Sequence, residues 1–277
     1  MVRTRFAPSP TGRLHLGHAY AAKVARDMAL AGGGEFLLRF EDIDSTRVRP
    51  EYFSGIEEDL AWLGLTWNGE PLRQLERLPA YDAALLSLRE IGVVYPCFCT
   101  RREIEEEISR MRGAPQGPEG PLYPGICRKL SQTECEERIA DGLPFSWRLD
   151  VAMASARSGP LHFTDRRHGR IKVDASLLGD VILARKDIGT SYHLAVVVDD
   201  AFQEISHVTR GEDLLPSTHV HRLLQSLLNL TEPEYLHHRL VLDAEGKRLA
   251  KRHDARSIKA LREMGRTPES VLAELGN

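Results

Sequence analysis

Two histidines near the start of the chain lie within the segment PSPTGRLHLGH, at residues 8–18. His15 and His18 flank Gly17, which places no side chain where another group approaches closely. A strand-like run precedes the segment and a helix-like run follows it, which directs backbone N–H groups and the positive helix end toward an anion. The pattern therefore predicts a phosphate site that both imidazoles reach, although two exposed histidines on a first helical turn are the ordinary alternative. The lysine-bearing loop GxxxxGK(S/T) is absent.

A group of acidic residues follows the next strand-like run, at residues 35–40. Glu41, Asp42 and Asp44 come directly after this run, and ligands of open α/β sheets bind at the carboxyl ends of strands. We therefore expect these carboxylates at the same crevice as the two histidines. Helix caps and magnesium ligands are the ordinary alternatives for acids in this position.

Three of the four cysteines have a spacing that suits a metal. Cys97 and Cys99 are followed by Tyr123 and Cys127, and these four side chains can supply three thiolates and one oxygen to a tetrahedral ion. From the residues alone, Cys135 is preferred to Tyr123 as the fourth ligand. Its spacing of four residues from Ile139 also fits simple packing on one face of a helix. Three buried apolar thiols are the ordinary alternative. The sequence shows no secretory signal, which argues against disulfides.

Predicted strands and helices alternate in the first half of the chain, and these elements must position the candidate residues. Apolar periodicity predicts strands at 2–7, 35–40 and 93–100, helices at 19–30, 52–63, 80–91 and 101–112, and a mobile loop at 113–121. A strand, a helix and a second strand within the first part of the chain predict a parallel α/β sheet with right-handed crossovers.

The second half of the chain begins with short alternating runs. We predict strands of antiparallel character at 145–149, 161–164, 171–173 and 181–184. Further predicted elements are a strand at 191–200 buried on both faces, a strand at 205–214, a helix at 216–228 and a strand at 238–242. A basic loop at 247–253 and a short helical tail complete the prediction.

Composition places the chain among ordinary globular proteins. Its 277 residues are 42% hydrophobic and 28% charged, with a net charge of −3. No apolar run approaches the roughly 20 residues that span a bilayer, and the start has no signal-peptide core, so we expect a cytoplasmic protein without membrane association. The overall charge gives no nucleic-acid signature, but residues 247–266 are locally basic, which suits either RNA or an exposed helix face.

The segment at residues 8–18 resembles the HIGH signature of class I aminoacyl-tRNA synthetases, in the form of the glutamate-activating branch. FEDIDSTR at 40–47 resembles the second glutamyl signature, YHLAVVVDDA and TRGED resemble the YNFAVVVDD and VxRGxD segments, and KRLAKR at 247–252 resembles KMSKS. The resemblance implies a Rossmann-type parallel-sheet catalytic domain, with an inserted zinc-bearing, partly antiparallel subdomain and a short helical C-terminal extension.

The same resemblance implies roles for individual residues. His15, His18 and Lys251 would be catalytic, and Gly17 and Arg248 would join them in binding ATP. The glutamate pocket would comprise residues from four segments, namely Arg5, Phe6, Ala7, Pro8, Ser9, Glu41, Tyr192 and Arg210. The last signature departs from the family pattern at Arg248, which keeps the charge of a lysine, and at Ala250, which lacks the hydroxyl of a serine.

The most specific resemblance is to the stand-alone glutamyl-queuosine tRNA(Asp) synthetases. Their zinc site resembles the arrangement here and implies one structural zinc on Cys97, Cys99, Tyr123 and Cys127, with Cys135 as the fallback ligand. The implied divisions are 1–95 and 177–245 for the nucleotide fold, 96–176 for the insertion and 246–277 for the tail. Fewer residues follow Arg252 than the roughly 40 that fold alone, so we expect no anticodon-binding domain.

This family activates L-glutamate with ATP and Mg²⁺ without tRNA, and esterifies the queuosine base of tRNA(Asp). We therefore expect a monomer with an RNA-binding surface between the insertion and the basic tail. Three alternatives remain: a truncated or minimal glutamyl-tRNA synthetase that charges the tRNA 3′ end, a nucleotidyltransferase with a similar histidine motif, and a non-catalytic paralogue that binds RNA or an amino acid.

Overall fold

The computed structural model describes residues 1–111, 116–118, 120–241 and 257–276. Within these residues, no helix combines the length and apolar character that crossing a membrane requires.

The first half of the fold is the predicted parallel unit. Its elements are β1 (Arg3–Phe6), α1 (Leu16–Ala31), β2 (Glu35–Phe40), α2 (Pro50–Trp62), β3 (Leu72–Arg73) and α3 (Leu78–Glu90). Strand β1 pairs in parallel with β2, and β2 pairs in parallel with β3. Gly34 ends the α1–β2 turn where the chain passes close to β1, since a Cβ there would lie 1.6 Å from the carbonyl oxygen of Val2. The tight turn therefore requires glycine at this position.

The middle of the chain contains an antiparallel sheet. Its elements are β4 (Val94–Cys97), α4 (Arg101–Arg110), β5 (Gln116–Gly117), β6 (Gly120–Pro121), α5 (Gln132–Ala140), β7 (Ser146–Leu149), α6 (Val151–Ser158), β8 (His162–Asp165), β9 (Gly169–Lys172) and β10 (Ile182–Ala184). Strand β7 lies between β4 and β10 and is antiparallel to both, which agrees with the expected antiparallel character. Strand β8 pairs antiparallel with β9.

The last part of the chain returns to parallel strands. Its elements are α7 (Tyr192–Phe202), β11 (His207–Gly211), α8 (Leu215–Leu227), β12 (Glu234–His238), α9 (Ile258–Glu263) and α10 (Pro268–Leu275). Strand β12 is parallel to β11 on one side and to β8 on the other. Strand β11 lies beside β1, because the N–H of Ser206 donates to the carbonyl oxygen of Arg3 at 3.0 Å. The two strands that carry the predicted arginines of the pocket are therefore neighbours.

Two large core clusters hold these elements together. One joins α1 and α2 to strands β1 and β2, and Ile258, Val271 and Leu275 of the two C-terminal helices are buried in it. The other joins α3, α7 and α8 to strands β7 and β10. The two C-terminal helices thus share one core with the first parallel strands.

The segment at 191–200 is a helix, so the predicted strand was wrong. Helix α7 packs against α3 and α8, and Leu194 and Ala195 are fully buried. Three consecutive valines, Val196 to Val198, favour a strand locally, and a run that is apolar on every side shows no helical period. Burial between two other helices overrides that local preference.

Other boundaries also differ from the prediction. The predicted strand at 238–242 is wrong in its range, because β12 ends at His238 and residues 239–241 form no regular element. The segment at 205–214 was predicted as a strand that ends in a polar turn, and β11 followed by the 3-10 turn Glu212–Leu214 agrees with it. Helix α6 was not predicted; the Asp150 side chain caps it by accepting a hydrogen bond from the Met153 N–H at 3.0 Å. The predicted loop at 113–121 contains the short strands β5 and β6.

Candidate active site

A cavity of about 450 Å³ opens where β1, β2 and β11 end. It collects every residue of the described chain that the sequence analysis assigned to ATP or glutamate, namely Arg5, Phe6, Ala7, Pro8, Ser9, His15, Gly17, His18, Glu41, Tyr192 and Arg210. The predicted ATP contacts Arg248 and Lys251 lie outside the described residues. Segments that are distant in sequence therefore meet at one crevice, as the parallel-sheet argument predicts.

The histidine turn, residues 15–18, begins α1. His15 Nδ1 accepts a hydrogen bond from the Gly17 N–H at 3.1 Å, and His18 Nδ1 accepts one from the backbone N–H of His15 at 3.3 Å. Because Nδ1 is the acceptor in both rings, each neutral imidazole carries its proton on Nε2. The ring centroids lie 3.8 Å apart. The turn thus fixes two N–H donors at the positive end of α1.

Gly17 packs closely against the ring that precedes it. A Cβ at this position would lie 3.0 Å from Cε1 of His15 and 3.2 Å from its Nδ1. The group that approaches the glycine is thus the imidazole of His15 itself. A larger residue would require that ring to shift by a few tenths of an ångström.

Backbone contacts tie the turn to the rest of the site. The N–H of Glu41 donates to the carbonyl oxygen of Pro8 at 3.1 Å, so the end of β2 holds the loop that precedes α1. On the other side, Ser257 forms an antiparallel bridge with His15, and the N–H of Ile258 donates to the carbonyl oxygen of Leu14 at 2.8 Å. The start of α9 therefore packs directly beside the histidine turn.

Arg5 is held by a buried carboxylate. Its Nε donates to Asp200 Oδ1 at 2.9 Å and its Nη2 donates to Oδ2 at 3.3 Å, while Arg39 Nη2 donates to the same Oδ1 at 2.7 Å. Burial alone would raise the pKa of Asp200, but the two guanidinium groups outweigh it and lower that pKa. One carboxylate thus orients two buried arginines, and only Arg5 lines the cavity.

Glu41 places a titratable carboxyl group in the same cavity as Arg5. Burial raises the pKa of its carboxyl to about 7, although Arg39 and Arg5 oppose the shift. The free site therefore holds Glu41 partly protonated near neutral pH. A bound cation would favour the ionised form.

Arg210 has a different environment from Arg5. The side chain is 5% exposed, and its guanidinium has no carboxylate within 4.0 Å among the described residues. Its hydrogen-bond acceptors are the neutral side chains Tyr192, Thr218, His221 and His237. We call these five residues the Arg210 cluster. A buried cation without a carboxylate partner is costly unless a ligand compensates it.

The cysteines predicted to bind metal also lie together. The sulfur atoms of Cys97, Cys99 and Cys127 are all within 4.8 Å of one another. The hydroxyl oxygen of Tyr123 lies 3.3 Å from Cys97 Sγ and 3.5 Å from Cys99 Sγ. Ligands of a tetrahedral zinc are separated by roughly 3.5 to 3.8 Å when Zn–S is about 2.3 Å and Zn–O about 2.0 Å, so the four atoms suit zinc.

Cys135 is not part of this group of cysteines. It lies on α5, and within the described chain the three-cysteine group does not include it. The geometry therefore favours Tyr123 over Cys135 as a fourth ligand. Arg148 stacks on the Tyr123 ring at 3.9 Å from its centroid and orients it.

Several residues that shape the site were missed in the sequence. Asp200, Thr218, His221 and His237 touch the pocket arginines. Asp200 lies in the YHLAVVVDDA segment but was given no role, and the other three come from segments with no motif of their own. Arg39 carried a usable signal, because a charge inside an apolar strand indicates a buried ion pair. The partner of that ion pair could not be read from the sequence.

Comparison with known proteins agrees with this arrangement. Residues 1–276 match the model of the family described as tRNA synthetases class I (E and Q), catalytic domain, and the chain belongs to this family. It is accordingly an enzyme of the ligase type. The structure contains the parallel α/β fold and the histidine turn that the sequence resemblance to class I synthetases implied.

Individual relatives refine the comparison. The chain is 48% identical to a Glutamyl-Q tRNA(Asp) synthetase from Rhodobacter capsulatus, over 99% of both chains. It is 40% identical to a glutamate–tRNA ligase from Coprothermobacter proteolyticus, over 99% of this chain and 58% of that protein. A solved glutamate tRNA ligase from Elizabethkingia meningosepticum, in complex with its amino acid, superimposes with a TM-score of 0.77 at 31% identity. This chain spans about half of that structure, 52% of its length.

Proposed function

We propose that the protein activates L-glutamate with ATP, without tRNA, and transfers it to the queuosine base in the anticodon loop of tRNA(Asp). The observation that carries the first step is the buried Arg210, which faces the cavity without a carboxylate partner in the described chain. An anionic ligand supplies the missing charge, and a planar guanidinium binds a carboxylate at two points.

The other charges of the cavity complement the rest of glutamate. Glu41 is the acid that accepts the ammonium group, and Arg5 adds a second cation near the carboxylate side chain. A neutral amide at the same place would leave Arg210 uncompensated. The charge pattern thus supports glutamate over glutamine.

The histidine turn supports the chemistry of activation. A carboxylate oxygen of glutamate attacks the α-phosphorus of ATP, a new O–P bond forms, and pyrophosphate leaves with Mg²⁺. Nε2–H donors of His15 and His18 stabilise the charge that grows on the phosphate oxygens. By the resemblance, Lys251 and Arg248 also contact the phosphates.

The transfer step rests on the relatives and on chemistry. The Rhodobacter capsulatus relative that matches this chain over its full length is named for the glutamyl-queuosine reaction. In this step a hydroxyl of the queuosine cyclopentenediol attacks the activated carbonyl, an ester forms and AMP leaves. Basic side chains between the insertion and the tail position the RNA through its phosphates.

A structural zinc is part of the proposal. The residues that would hold it are Cys97, Cys99, Tyr123 and Cys127. A bound ion would connect β4 with the loop before α5, in a part of the insertion whose helices α4 and α5 bury no residue.

Activation is tested by pyrophosphate exchange with glutamate and ATP in the absence of tRNA. We expect exchange with glutamate and much weaker exchange with glutamine. A protein that binds both ligands without exchange would instead be a non-catalytic paralogue.

Transfer is tested with labelled glutamate and three RNAs. We expect label on tRNA(Asp) that carries queuosine, and none on an unmodified tRNA(Asp) transcript or on a tRNA(Glu) transcript. The glutamate–tRNA ligase relatives make 3′-end charging the second candidate. Efficient charging of the tRNA(Glu) transcript would establish that second candidate and exclude the queuosine reaction as the main activity.

A further inference from the structure

The Arg210 cluster holds a cation with neutral acceptors alone. Arg210 Nε donates to His237 Nε2 at 3.2 Å, and Nη1 donates to His221 Nδ1 at 3.0 Å. Nη2 donates to the Thr218 hydroxyl at 2.5 Å, and Nη1 also donates to the Tyr192 hydroxyl at 3.4 Å. A guanidinium has only donors, so each of these four atoms must present a lone pair.

His237 can present that lone pair in only one protonation state. Its Nδ1 lies 2.7 Å from Asp165 Oδ2, and a carboxylate only accepts, so the proton is on Nδ1. Nε2 is then unprotonated, and it accepts from the Thr218 hydroxyl at 2.9 Å and from Arg210 Nε at 3.2 Å. Asp165 is itself fixed, because its Oδ1 accepts from the N–H groups of Arg167 and His168 and its Oδ2 from the N–H of His237.

His221 is fixed by a similar argument. Its Nδ1 accepts from Arg210, so the neutral ring carries its proton on Nε2, which donates to His193 Nδ1 at 3.1 Å. Burial and the charge of Arg210 lower the pKa of His221 and of His237, the latter to about 4. Both rings are therefore neutral at physiological pH and add no charge to the cluster.

We propose that Asp165 and His237 are positioning residues for substrate selection: Asp165 fixes the His237 tautomer, and His237 holds Arg210 by a lone pair without neutralising it. The held cation then selects an acidic side chain over its amide. This inference rests on the proposed glutamate activity and deepens it. Neither residue touches the substrate; both act through Arg210.

Arg5 shows the effect of a carboxylate partner, which the Arg210 cluster does not provide. A carboxylate partner such as Asp200 would orient Arg210 equally well, but it would also compensate the positive charge before a ligand arrives. An amide ligand would then lose little relative to an acid. Neutral acceptors orient Arg210 and leave its charge uncompensated. An amide ligand therefore incurs the full electrostatic penalty.

The first test compares two substitutions of His237 in the full chain. His237→Leu removes the acceptor, and we expect KM for glutamate to rise about 10- to 100-fold, the range for a lost hydrogen bond to a charged group. The exchange ratio of glutamate to glutamine should fall, while KM for ATP stays unchanged. His237→Gln keeps an acceptor oxygen near the Nε2 position, so we expect it to recover most of the selectivity.

A second substitution covers the case in which His237→Leu does not fold. Thr218→Val removes the hydroxyl that accepts from Arg210 with almost no change of shape, and we expect a smaller rise of KM with the same loss of selectivity. His219→Leu is the matched control. His219 is also a buried histidine of α8, but its Nδ1 accepts from the backbone N–H of Asp174 and it does not contact Arg210. We expect this control to keep the wild-type selectivity.

The tautomer of His237 gives a readout that does not depend on activity. Nitrogen-15 NMR of the wild type should show an unprotonated Nε2 on His237, and Asp165→Asn should shift the proton toward Nε2. A protonated Nε2 in the wild type would overturn the proposal.

The outcomes separate this inference from the proposed function. A wild type that exchanges with glutamate, together with folded His237→Leu and Thr218→Val variants that keep KM and selectivity, would overturn the inference alone. A wild type that uses no acidic amino acid would overturn both. A selectivity loss in His219→Leu as large as in Thr218→Val would also contradict it, because general loosening of α8 would then explain the effect.

Discussion

The histidine turn and two members of the Arg210 cluster, Tyr192 and Arg210, line the same cavity, but the turn and the cluster are assembled in different ways. The two hydrogen bonds that place Nδ1 of His15 and of His18 join residues at most three positions apart. The Arg210 cluster instead joins α7, β11, α8 and β12, and its member His237 contacts Asp165 on β8. The conformation of the histidine turn is therefore encoded locally, whereas the cluster that is proposed to select the amino acid depends on the tertiary fold.

The difference predicts which kinetic quantity each region controls. The histidines should act on charge that appears during the reaction, so their loss should lower the rate of the chemical step. The Arg210 cluster should act on a charge that the substrate already has, so its loss should weaken binding.

The largest effect is expected for His18→Ala. Removing one donor to the developing charge on phosphate lowers the rate about 100- to 1,000-fold. Single-turnover formation of the adenylate measures this rate, and calorimetry with glutamate alone measures binding. We expect the binding constant to stay close to that of the wild type. A variant with near-normal exchange would remove the basis for assigning the histidine turn to ATP.

Arg210→Lys should show the opposite pattern. Lysine keeps the charge but loses the planar fork, so we expect glutamate to bind about 10- to 100-fold more weakly. Calorimetry measures this change, and the single-turnover rate at saturating glutamate serves as the control. If the single-turnover rate falls as much as it does in His18→Ala while the affinity for glutamate is retained, then the Arg210 cluster controls the chemical step and not binding, and the comparison is wrong.

The pH dependence of binding tests Glu41. Its carboxyl has a pKa of about 7 in the free site, and only the ionised form attracts the substrate ammonium. Binding below that pKa therefore requires loss of a proton. The apparent dissociation constant should rise about tenfold between pH 8 and pH 6, because it scales inversely with the ionised fraction. Glu41→Gln should bind more weakly at pH 8 and show a flat profile over this range.

The smallest effect on activation is expected for Cys127→Ser. None of the four predicted metal ligands lines the cavity, so we expect loss of about one zinc per chain and a lower melting temperature, with little change in glutamate exchange. Elemental analysis and thermal melting measure the first two. Cys135→Ser is the matched control and should retain the metal. Loss of zinc in Cys135→Ser but not in Tyr123→Phe would show that Cys135 is the fourth ligand.

Much of the site could be predicted because its signals are local in the sequence. The turn around Gly17 follows from the strand, turn and helix that surround it. Of the three acids after β2 that were predicted at the crevice, Glu41 lines the cavity. Asp42 and Asp44 do not line it: Asp42 accepts from the Leu75 N–H and Asp44 pairs with Arg185. The three cysteines were grouped by spacing, and the structure brings their sulfur atoms within 4.8 Å of one another.

Other features could not be predicted because their causes are not local. The valines of α7 favour a strand by intrinsic preference, and only packing against α3 and α8 makes this segment a helix. That helix places Asp200 against Arg5 and Arg39. No spacing rule in the sequence connects a residue on α7 with partners on β1 and β2.

The sequence by itself determined the class of the fold, the histidine turn and two of the arginines that line the pocket, Arg5 and Arg210. The tertiary structure alone decided how the charges of these two arginines are compensated. Arg5 lies against a carboxylate and Arg210 against neutral groups, because β1 faces the end of α7 whereas β11 faces α8 and β12. Electrostatic environment depends on the side chains within a few ångströms, and those neighbours come from segments that only folding brings together.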